Sequence, residues 1–449
     1  MPRFTAWRLL RSGSITPLRD VDAEADDRGL DARDRGLLRR LIGTEVRRRA
    51  TLRALVRCYA RGKPSADFSA HLHLAMVQAL FLDRIPDHAL ASETVRLIEE
   101  TCLPADVRNA KGILHALLLS RTRDHVGNPR RDIIGRPYAL DRDVFHDPEE
   151  HPLLWAEDAL SMPAPLMKGW IARHGIERAR ALAVGALEEP ELSLRVARGT
   201  REELAAELSS LGIATRHGRH GSVLLASADR AEALLHSAPM GEGRVSVQGE
   251  SALRAAEAVQ AQSGETLLDL CAAPGGKTAV LAQSGARVVA CDVSEAKLAR
   301  LRSTLERLGL AQQVELCIYN GTADVPPREF DGVLVDAPCT NTGVLAQRPE
   351  ARWRFGPKAR AELVTLQSRL LREGAQRVRV GGRLVWSTCS LEPEENSRLV
   401  RTFLAEASEF KLEEEAESLP ENSAPDTAAQ FQGNGPTDGG YFARLRRYR

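Results

Sequence analysis

Two cysteines stand where a thiol can do chemistry. Cys339 closes the run Asp336-Ala-Pro-Cys339 after one apolar segment, and Cys389 lies in Ser387-Thr-Cys389-Ser390 after another. Strand-end loops surround a cysteine with backbone N–H groups that favour a thiolate. Cys291 and Cys317 instead fall inside the apolar segments and read as buried structural residues. No histidine follows His236, so this half of the chain has no Ser-His-Asp or Cys-His engine and no histidine-based metal site. One reaction uses such thiols well. Cytosine C5 is too weak a nucleophile to take a methyl group directly. A thiolate added at C6 makes C5 an enamine-like carbon that can attack a methyl sulfonium, and loss of the C5 proton then expels the thiol. Asp336 can hydrogen-bond the base at N3 or the exocyclic amine as charge develops. Lys277 either orients the base or Asp336, or is an ordinary solvated lysine at a helix start.

A methyl donor needs its own site. The apolar run Thr266 to Leu270 leads into a turn of Cys271, Ala272, Ala273, Pro274, Gly275, Gly276 and Lys277. Pro274-Gly275-Gly276 lets backbone approach a ligand closely. The turn lacks GxGxxG, and the P-loop pattern fails because Cys271 stands where its first glycine belongs. Asp292 ends the next apolar segment, where a carboxylate can accept both hydroxyls of a ribose. Glycine turn and acidic strand end together indicate an adenosine-bearing cofactor. NAD remains possible, but S-adenosylmethionine suits a turn without the dinucleotide fingerprint. The turn residues, with Asp292 and Asp336, are the expected cofactor contacts.

These residues must be held by an α/β sheet. Strands are predicted at Thr266–Leu270, Val288–Asp292, Val314–Ile318, Gly332–Asp336 and Arg383–Ser387, with helices over Ala279–Gln283, Glu295–Leu308 and Ala359–Val378. Apolar strands alternating with helices give a mostly parallel, Rossmann-like sheet, with ligands beyond its carboxyl ends. In such a sheet the strands before Cys339 and Cys389 are neighbours, so the two thiols meet although 50 positions separate them. Upstream, residues 29–125 are predicted to be an all-helical domain, with apolar stripes at spacings of three and four around Leu38, Leu55, Leu72, Leu97 and Leu114. Residues 1–28 read as a polar, mobile tail. Residues 126–150 read as an extended linker. The arginines around it (Arg121, Arg123, Arg130, Arg131 and Arg136) either touch phosphates or simply solvate a connector. Residues 151–245 form a small α+β module, with a capping box at Thr200 to Glu203. His217 and His220 sit in its Arg/Gly-rich turn, where a loop or phosphate contact fits better than a metal. Residues 246–449 are the catalytic domain.

Composition bounds the rest. Of 449 residues, 43% are hydrophobic and 27% charged, an ordinary globular balance that excludes wholesale disorder. Acids and bases nearly cancel at 61 against 62, which excludes a polybasic coat but not a local basic groove. No apolar run approaches a membrane span, and Phe4 to Leu10 is a poor signal peptide. Seven cysteines without a CxxC pair argue against disulfides and zinc, and for a reducing cytoplasm. No metal is expected, and the protein is taken as a monomer.

The chain closely resembles the bacterial RNA (cytosine-5) methyltransferases of the Sun or Fmu family, relatives of the nucleolar NOP2/Sun proteins. The resemblance runs through Leu268 to Thr278, Asp336 to Gly343, Ser387 to Ser390, Pro393-Glu-Glu-Asn396 and Asp438 to Arg446, within residues 150–449. It implies that Cys389 is the covalent nucleophile and that Cys339 assists product release. It further implies that Asp292 binds the cofactor ribose and that Asp336 and Lys277 contact the target base. The helical domain resembles the NusB-type RNA-binding domain of members that modify small-subunit ribosomal RNA, which selects naked or partly assembled 16S rRNA over tRNA. A non-catalytic RNA-binding or assembly factor is the alternative from another class. Where the family carries an acid near the adenine, this chain has Thr322, with Asp324 two residues on. Thr340-Asn341 replaces a pair of small residues. Val196-Ala197 stands where Val-Asn is common, and Gly249-Glu250 follows Gln248 where an Asp is common. Arg348, Arg352, Trp353 and Arg354 follow the Cys339 loop and are the expected RNA contacts, unless Trp353 packs under the next helix. Lys411 to Asp426 reads as an acidic, solvated surface insertion.

Overall fold

The computed structural model describes residues 1–82, 85–319, 329–420 and 438–449. Among them, Met1–Glu188 with Arg348–Phe355 form one compact unit and the rest form a second.

The first unit is helical. Its helices are α1 (Pro2–Arg11), α2 (Pro17–Asp27), α3 (Ala32–Tyr59), α4 (Ala66–Phe81), α5 (Asp87–Thr101) and α6 (Pro104–Ser120). Asp31 and Ser65 cap α3 and α4 by accepting the N–H groups of Asp34 and Phe68. Helix α4 is buried from Phe68 to Phe81 on nearly every side, which makes it the centre of the bundle. The mobile tail expected over residues 1–28 is instead α1 and α2. Pro2 and Pro17 occupy their first turns, where a missing N–H costs nothing. Their buried faces are small, built on Thr5, Ala6, Leu9, Val21 and Ala25, so the segment looked polar.

The expected linker at 126–150 is folded as well. Strands β1 (Arg121–Thr122), β2 (Asp132–Ile133) and β3 (Tyr138–Leu140) make a small antiparallel sheet in the order β1-β3-β2, burying Ile133, Tyr138 and Phe145. Several of its arginines are bound within the unit. Arg121 pairs with Asp87 at 2.9 Å, Arg136 donates to the Phe81 carbonyl, and Arg130 and Arg131 both pair with Asp143. Helices α7 (Pro152–Leu160), α8 (Ala164–His174) and α9 (Ile176–Gly185) complete this part, so the boundary drawn at 150 moves to 188.

The second unit begins with an antiparallel sheet. Its elements are β4 (Leu192–Val196), α10 (Arg201–Ser210), β5 (Thr215–His217), β6 (Val223–Ala226), α11 (Ala231–Leu235), α12 (Ala238–Gly241) and β7 (Val245–Val247), in strand order β5-β6-β4-β7. The expected capping box forms between Thr200 and Glu203. Then come α13 (Glu250–Glu257), β8 (Thr266–Asp269), α14 (Gly276–Gln283), β9 (Arg287–Asp292), α15 (Glu295–Leu308), β10 (Val314–Ile318) and β11 (Phe330–Asp336). The chain next enters α16 (Ala351–Arg354), which belongs to the first unit. It returns through α17 (Pro357–Gln376), β12 (Val378–Thr388), α18 (Ser397–Glu406), β13 (Phe410–Ser418) and β14 (Gly440–Arg447).

The seven strands of the large sheet run β10-β9-β8-β11-β12-β14-β13, parallel up to β12 and antiparallel at β14 and β13. Alternating residues feed two cores. Leu268, Val333, Val335, Leu384 and Trp386 pack with Leu371 and Phe403, while Leu267, Val288, Leu334 and Val385 pack with Leu281, Leu301 and Leu305. The acidic surface insertion expected from Lys411 is in fact β13, as far as the described residues go. Its glutamates line the sheet edge and pair with β14: Glu413 with Arg444 and Arg446, and Glu414 with Arg444.

Two expected RNA contacts turn inward within the first unit. Arg352 is fully buried and donates to the carbonyls of Pro349, Arg47, Ser161 and Ala186 at 2.6–3.4 Å. Burial first, then Arg47 and Arg48, pulls its pKa down to about 9. Trp353 lies against α3, giving its indole N–H to the Val46 carbonyl at 2.8 Å. Arg348 and Arg354 remain exposed. Replacing Arg352 by Met orphans several buried carbonyls at once, so urea denaturation is expected to show a loss of roughly 3 kcal/mol or more. Arg354→Met should cost less than about 0.5 kcal/mol. Equal small losses in both variants would contradict the buried anchoring.

Candidate active site

The chain leaves β8 toward β9 and β10 on one side and later returns through β11 and β12 on the other. The sheet order therefore reverses between β8 and β11, and sheets of this kind take ligands beyond the carboxyl ends at such a reversal. Cys271 follows β8, Asp292 ends β9, Asp336 ends β11 and Cys389 follows β12. Topology thus gathers four groups that the sequence spreads over more than a hundred positions.

The two thiols meet. Cys339 Sγ and Cys389 Sγ are 3.2 Å apart, as the expected adjacency of β11 and β12 requires. Cys339 is buried and Cys389 half-buried. The contact with Cys389, then burial, then nearby Glu395 push the Cys339 thiol well above its ordinary range, so Cys339 is held as a proton donor. Asn341 closes the group, giving its amide N–H to the Cys339 carbonyl at 2.7 Å and taking the Cys389 S–H on Oδ1 at 3.2 Å.

A buried polar frame holds both loops. Ser390 Oγ lies 3.0 Å from Thr340 Oγ1 and 3.3 Å from Thr342 Oγ1, and accepts the Glu392 N–H. Glu395 accepts the Thr340 N–H, and Asn396 bonds both Thr388 Oγ1 and the Ser390 carbonyl. Gly343 donates to the Cys389 carbonyl and accepts from Gly439. A Cβ at Gly343 would lie 2.6 Å from the Gly439 carbonyl oxygen, so only glycine fits there. Sequence reasoning quoted Pro393-Glu-Glu-Asn396 without giving it a task, and it missed Thr340, Asn341, Thr342 and Ser390 as a frame. The available signal was the density of hydroxyl and amide residues directly after each cysteine.

Beside the thiols, Lys277 Nζ sits 2.7 Å from Asp336 Oδ2, and Ser387 Oγ donates to Asp336 Oδ1. Burial pulls the ammonium down, but Asp336, with Cys389 and Asp269, outweighs it and raises the Lys277 pKa. Lys277 is therefore paired rather than solvated. Cys271 stands among acids: burial, then Asp269, Asp336 and Asp292, drive its pKa up, which leaves it an inert thiol.

The remaining features suit an adenosine-bearing cofactor. Gly275 has φ 104°, a conformation that favours glycine, and Gly276 opens α14 without a side chain. Asp292 accepts the N–H groups of Ala273 and Val293 and the Lys297 ammonium. Lys297 is half exposed, so its departure frees an acceptor position for a hydroxyl. Asp269 is fully buried, with Oδ2 bonded to Thr278 Oγ1 and Oδ1 without a partner, a polar atom left beside the turn. Thr322 and Asp324 lie outside the described residues. His220 bonds Ser222 and Glu257. Among the described residues, no cluster of three or more His, Cys, Asp or Glu could hold a metal, and no helix is long and apolar enough to cross a membrane.

Comparison with known proteins shows the family to which the chain belongs. Residues 256–446 match the family model for 16S rRNA methyltransferase RsmB/F, and residues 13–118 match the NusB family. The chain is 32% identical to ribosomal RNA small subunit methyltransferase B of Pseudomonas putida, covering 99% of this chain and 98% of that one. It is 31% identical to the probable ribosomal RNA small subunit methyltransferase B of Bacillus subtilis, over 79% of this chain and 76% of the relative. Among solved structures, PH0851 superposes with a TM-score of 0.72 over 100% of this chain and 99% of its own, at 23% identity. NSun6 from Pyrococcus horikoshii, determined with SFG, gives 0.54 over 64% of this chain and 98% of its own, at 19% identity. These two likenesses concern the fold.

Burial first, then Asp336 and Asp292, lifts Asp269 from 3.8 to about 7, against the opposing Thr278 bond and Lys277. The folded chain therefore binds this proton more tightly than the unfolded chain. That stabilisation is complete below about pH 4 and is lost as pH rises toward 7. Relative to Asp269→Asn, the wild-type melting temperature should fall between about pH 5 and 7 and level off above. A difference that stays flat with pH would contradict the raised proton affinity.

Proposed function

Because the chain belongs to the RsmB/F family of 16S rRNA methyltransferases, we propose that it methylates C5 of a cytosine in 16S rRNA through a covalent cysteine adduct at C6, using S-adenosylmethionine. The observation that carries this reading is the 3.2 Å pair of Cys339 and Cys389 beside the Asp336–Lys277 ion pair. Two adjacent thiols next to a carboxylate give addition and elimination each their own group, with no histidine required.

Cys389 is the nucleophile. Its proton passes to water, and its sulfur bonds to C6 of the base. Asp336, oriented by Lys277 and Ser387, accepts a hydrogen bond from the exocyclic amine and holds the ring against the sulfur. Bound S-adenosylmethionine supplies an electrophilic methyl on a sulfonium. The turn from Cys271 to Lys277 and the carboxylate of Asp292 would hold the cofactor. Cys339, a thiol kept protonated by its surroundings, serves the elimination step as an acid: the C5 proton passes to water, the C6–S bond breaks, and the departing Cys389 sulfur takes the Cys339 proton, which water then replaces.

The substrate is naked or partly assembled 16S rRNA, since a base must leave its stack to reach the thiols. The NusB match supports ribosomal RNA over tRNA. Exposed Arg348 and Arg354 remain candidates for backbone contacts, whereas Arg352 is buried and the half-buried Trp353 has its indole N–H bonded to α3.

Labelled S-adenosylmethionine with unmodified 16S rRNA should yield 5-methylcytosine at one position by bisulfite mapping. Cys389→Ala should lower that yield at least ~1000-fold, the scale of losing a covalent nucleophile. Methylation of tRNA alone would overturn the substrate, and a fully active Cys389→Ala would overturn the mechanism. Cofactor binding without transfer to either RNA would favour a binding factor.

A further inference from the structure

We propose that Asn341 is a positioning residue for the Cys389 thiol: its carboxamide oxygen takes the S–H and holds the nucleophile at rest in its protonated form. The inference rests on Cys389 being the nucleophile and adds the group that governs its release.

The backbone prepares the contact. Asn341 has φ 60° and ψ 27°, a left-handed conformation that asparagine tolerates better than most side chains. That turn bends the chain just after Cys339 and Thr340, and the carboxamide reaches back to both cysteines. Its N–H binds the Cys339 carbonyl at 2.7 Å, and its Oδ1 lies 3.2 Å from Cys389 Sγ. The first contact decides the second. If the amide were turned over, Oδ1 would face the Cys339 carbonyl oxygen, acceptor against acceptor, so the end presented to Cys389 must be the oxygen.

An amide oxygen can only accept. It favours the thiol over the thiolate, because ionisation, with the proton passing to water, removes its donor and leaves it facing a negative sulfur. Other groups set the background at the same sulfur. Cys339 Sγ approaches from β11 at 3.2 Å, Lys277 on α14 is near enough to interact electrostatically with Cys389, and Asp336 neutralises that ammonium. Glu395 stands behind the Cys339 loop through the Thr340 N–H. Lys277 favours a thiolate and Asn341 opposes one. A nucleophile restrained in this way resists stray electrophiles and oxidants until a base displaces the amide. A small residue at position 341 would allow the same turn without the restraint.

The test follows alkylation by iodoacetamide across pH in full-length wild type, Asn341→Gly and Asn341→Asp, with peptide mass spectrometry reading Cys389 and Cys339 separately. Glycine keeps the left-handed turn and removes the oxygen. Aspartate keeps the size and the left-handed turn, gives up the bond to the Cys339 carbonyl and adds a charge beside the thiol. The midpoint for Cys389 is expected to fall by about half to one pH unit in Asn341→Gly and to rise by at least as much in Asn341→Asp, the scale of one hydrogen bond. Unchanged alkylation of Cys317, half-buried on β10 of the same unit, verifies that the variants keep their fold. Unchanged Cys389 midpoints in both variants, or shifts of the same sign, would overturn the proposal. The readout needs no RNA and no methyl transfer. A wild type that methylates 16S rRNA while its variants show no shift would sink Asn341 alone, whereas shifted midpoints in a protein that never methylates RNA would sink the proposed function alone.

Discussion

The hydroxyl of Ser390 governs the geometry of the site. It is buried without access to water, and its partners are Thr340, Thr342, the Glu392 N–H and the Glu395 carboxylate. Those partners sit on the loops that carry Cys339 and Cys389. A buried polar network has low energy only when its members are satisfied, so these bonds tie the two loops together. That arrangement sets the two sulfurs in contact. Glu395 and Asn396 extend it to the Thr340 N–H and to Thr388. The Pro393 to Asn396 segment therefore acts through loop position rather than through chemistry of its own.

Charge placement follows from the sheet. Leu334, Asp269 and Ala290 are register partners, and Asp336 and Asp292 lie two residues further on their strands, so the three carboxylates share one face. Such crowding raises the cost of ionising any of them. Lys277 from α14 relieves it at Asp336, the Ala273 and Val293 N–H groups with Lys297 relieve it at Asp292, and Asp269 answers by holding its proton. Three acids of one residue type thus meet different partners. Asp336 is oriented by Lys277 and Ser387, and Asp292 by the Ala273 and Val293 N–H groups and Lys297. Asp269, fully buried, holds its proton more tightly than an ordinary aspartate.

Where periodicity and strand-end chemistry carry the information, the sequence is readable. Helix Glu295–Leu308 and strand Val314–Ile318 have the ends expected from their apolar spacing, and the meeting of Cys339 with Cys389 follows from strand order alone. The failures share a physical cause. Helices α1 and α2 bury mostly small residues, so they present no strong stripe. Arg352 is satisfied by carbonyl oxygens scattered from Arg47 to Pro349, a kind of partner that carries no signature in composition. The acidic run at Lys411 becomes an edge strand because Arg444 and Arg446 neutralise it from across the sheet. The hydroxyl frame joins residues about 50 positions apart and so leaves no local pattern.

The account stands on the division of labour between the two thiols, and a covalent protein–RNA species tests it most directly. Cys339→Ala would be incubated with S-adenosylmethionine and unmodified 16S rRNA, then denatured and run on a gel beside the Cys339→Ala, Cys389→Ala double variant. The account predicts that the single variant adds normally, eliminates slowly and accumulates an RNA-linked band, and that the double variant forms none. An RNA-linked band that persists without Cys389, or its absence from Cys339→Ala while methylation continues unimpaired, would contradict it.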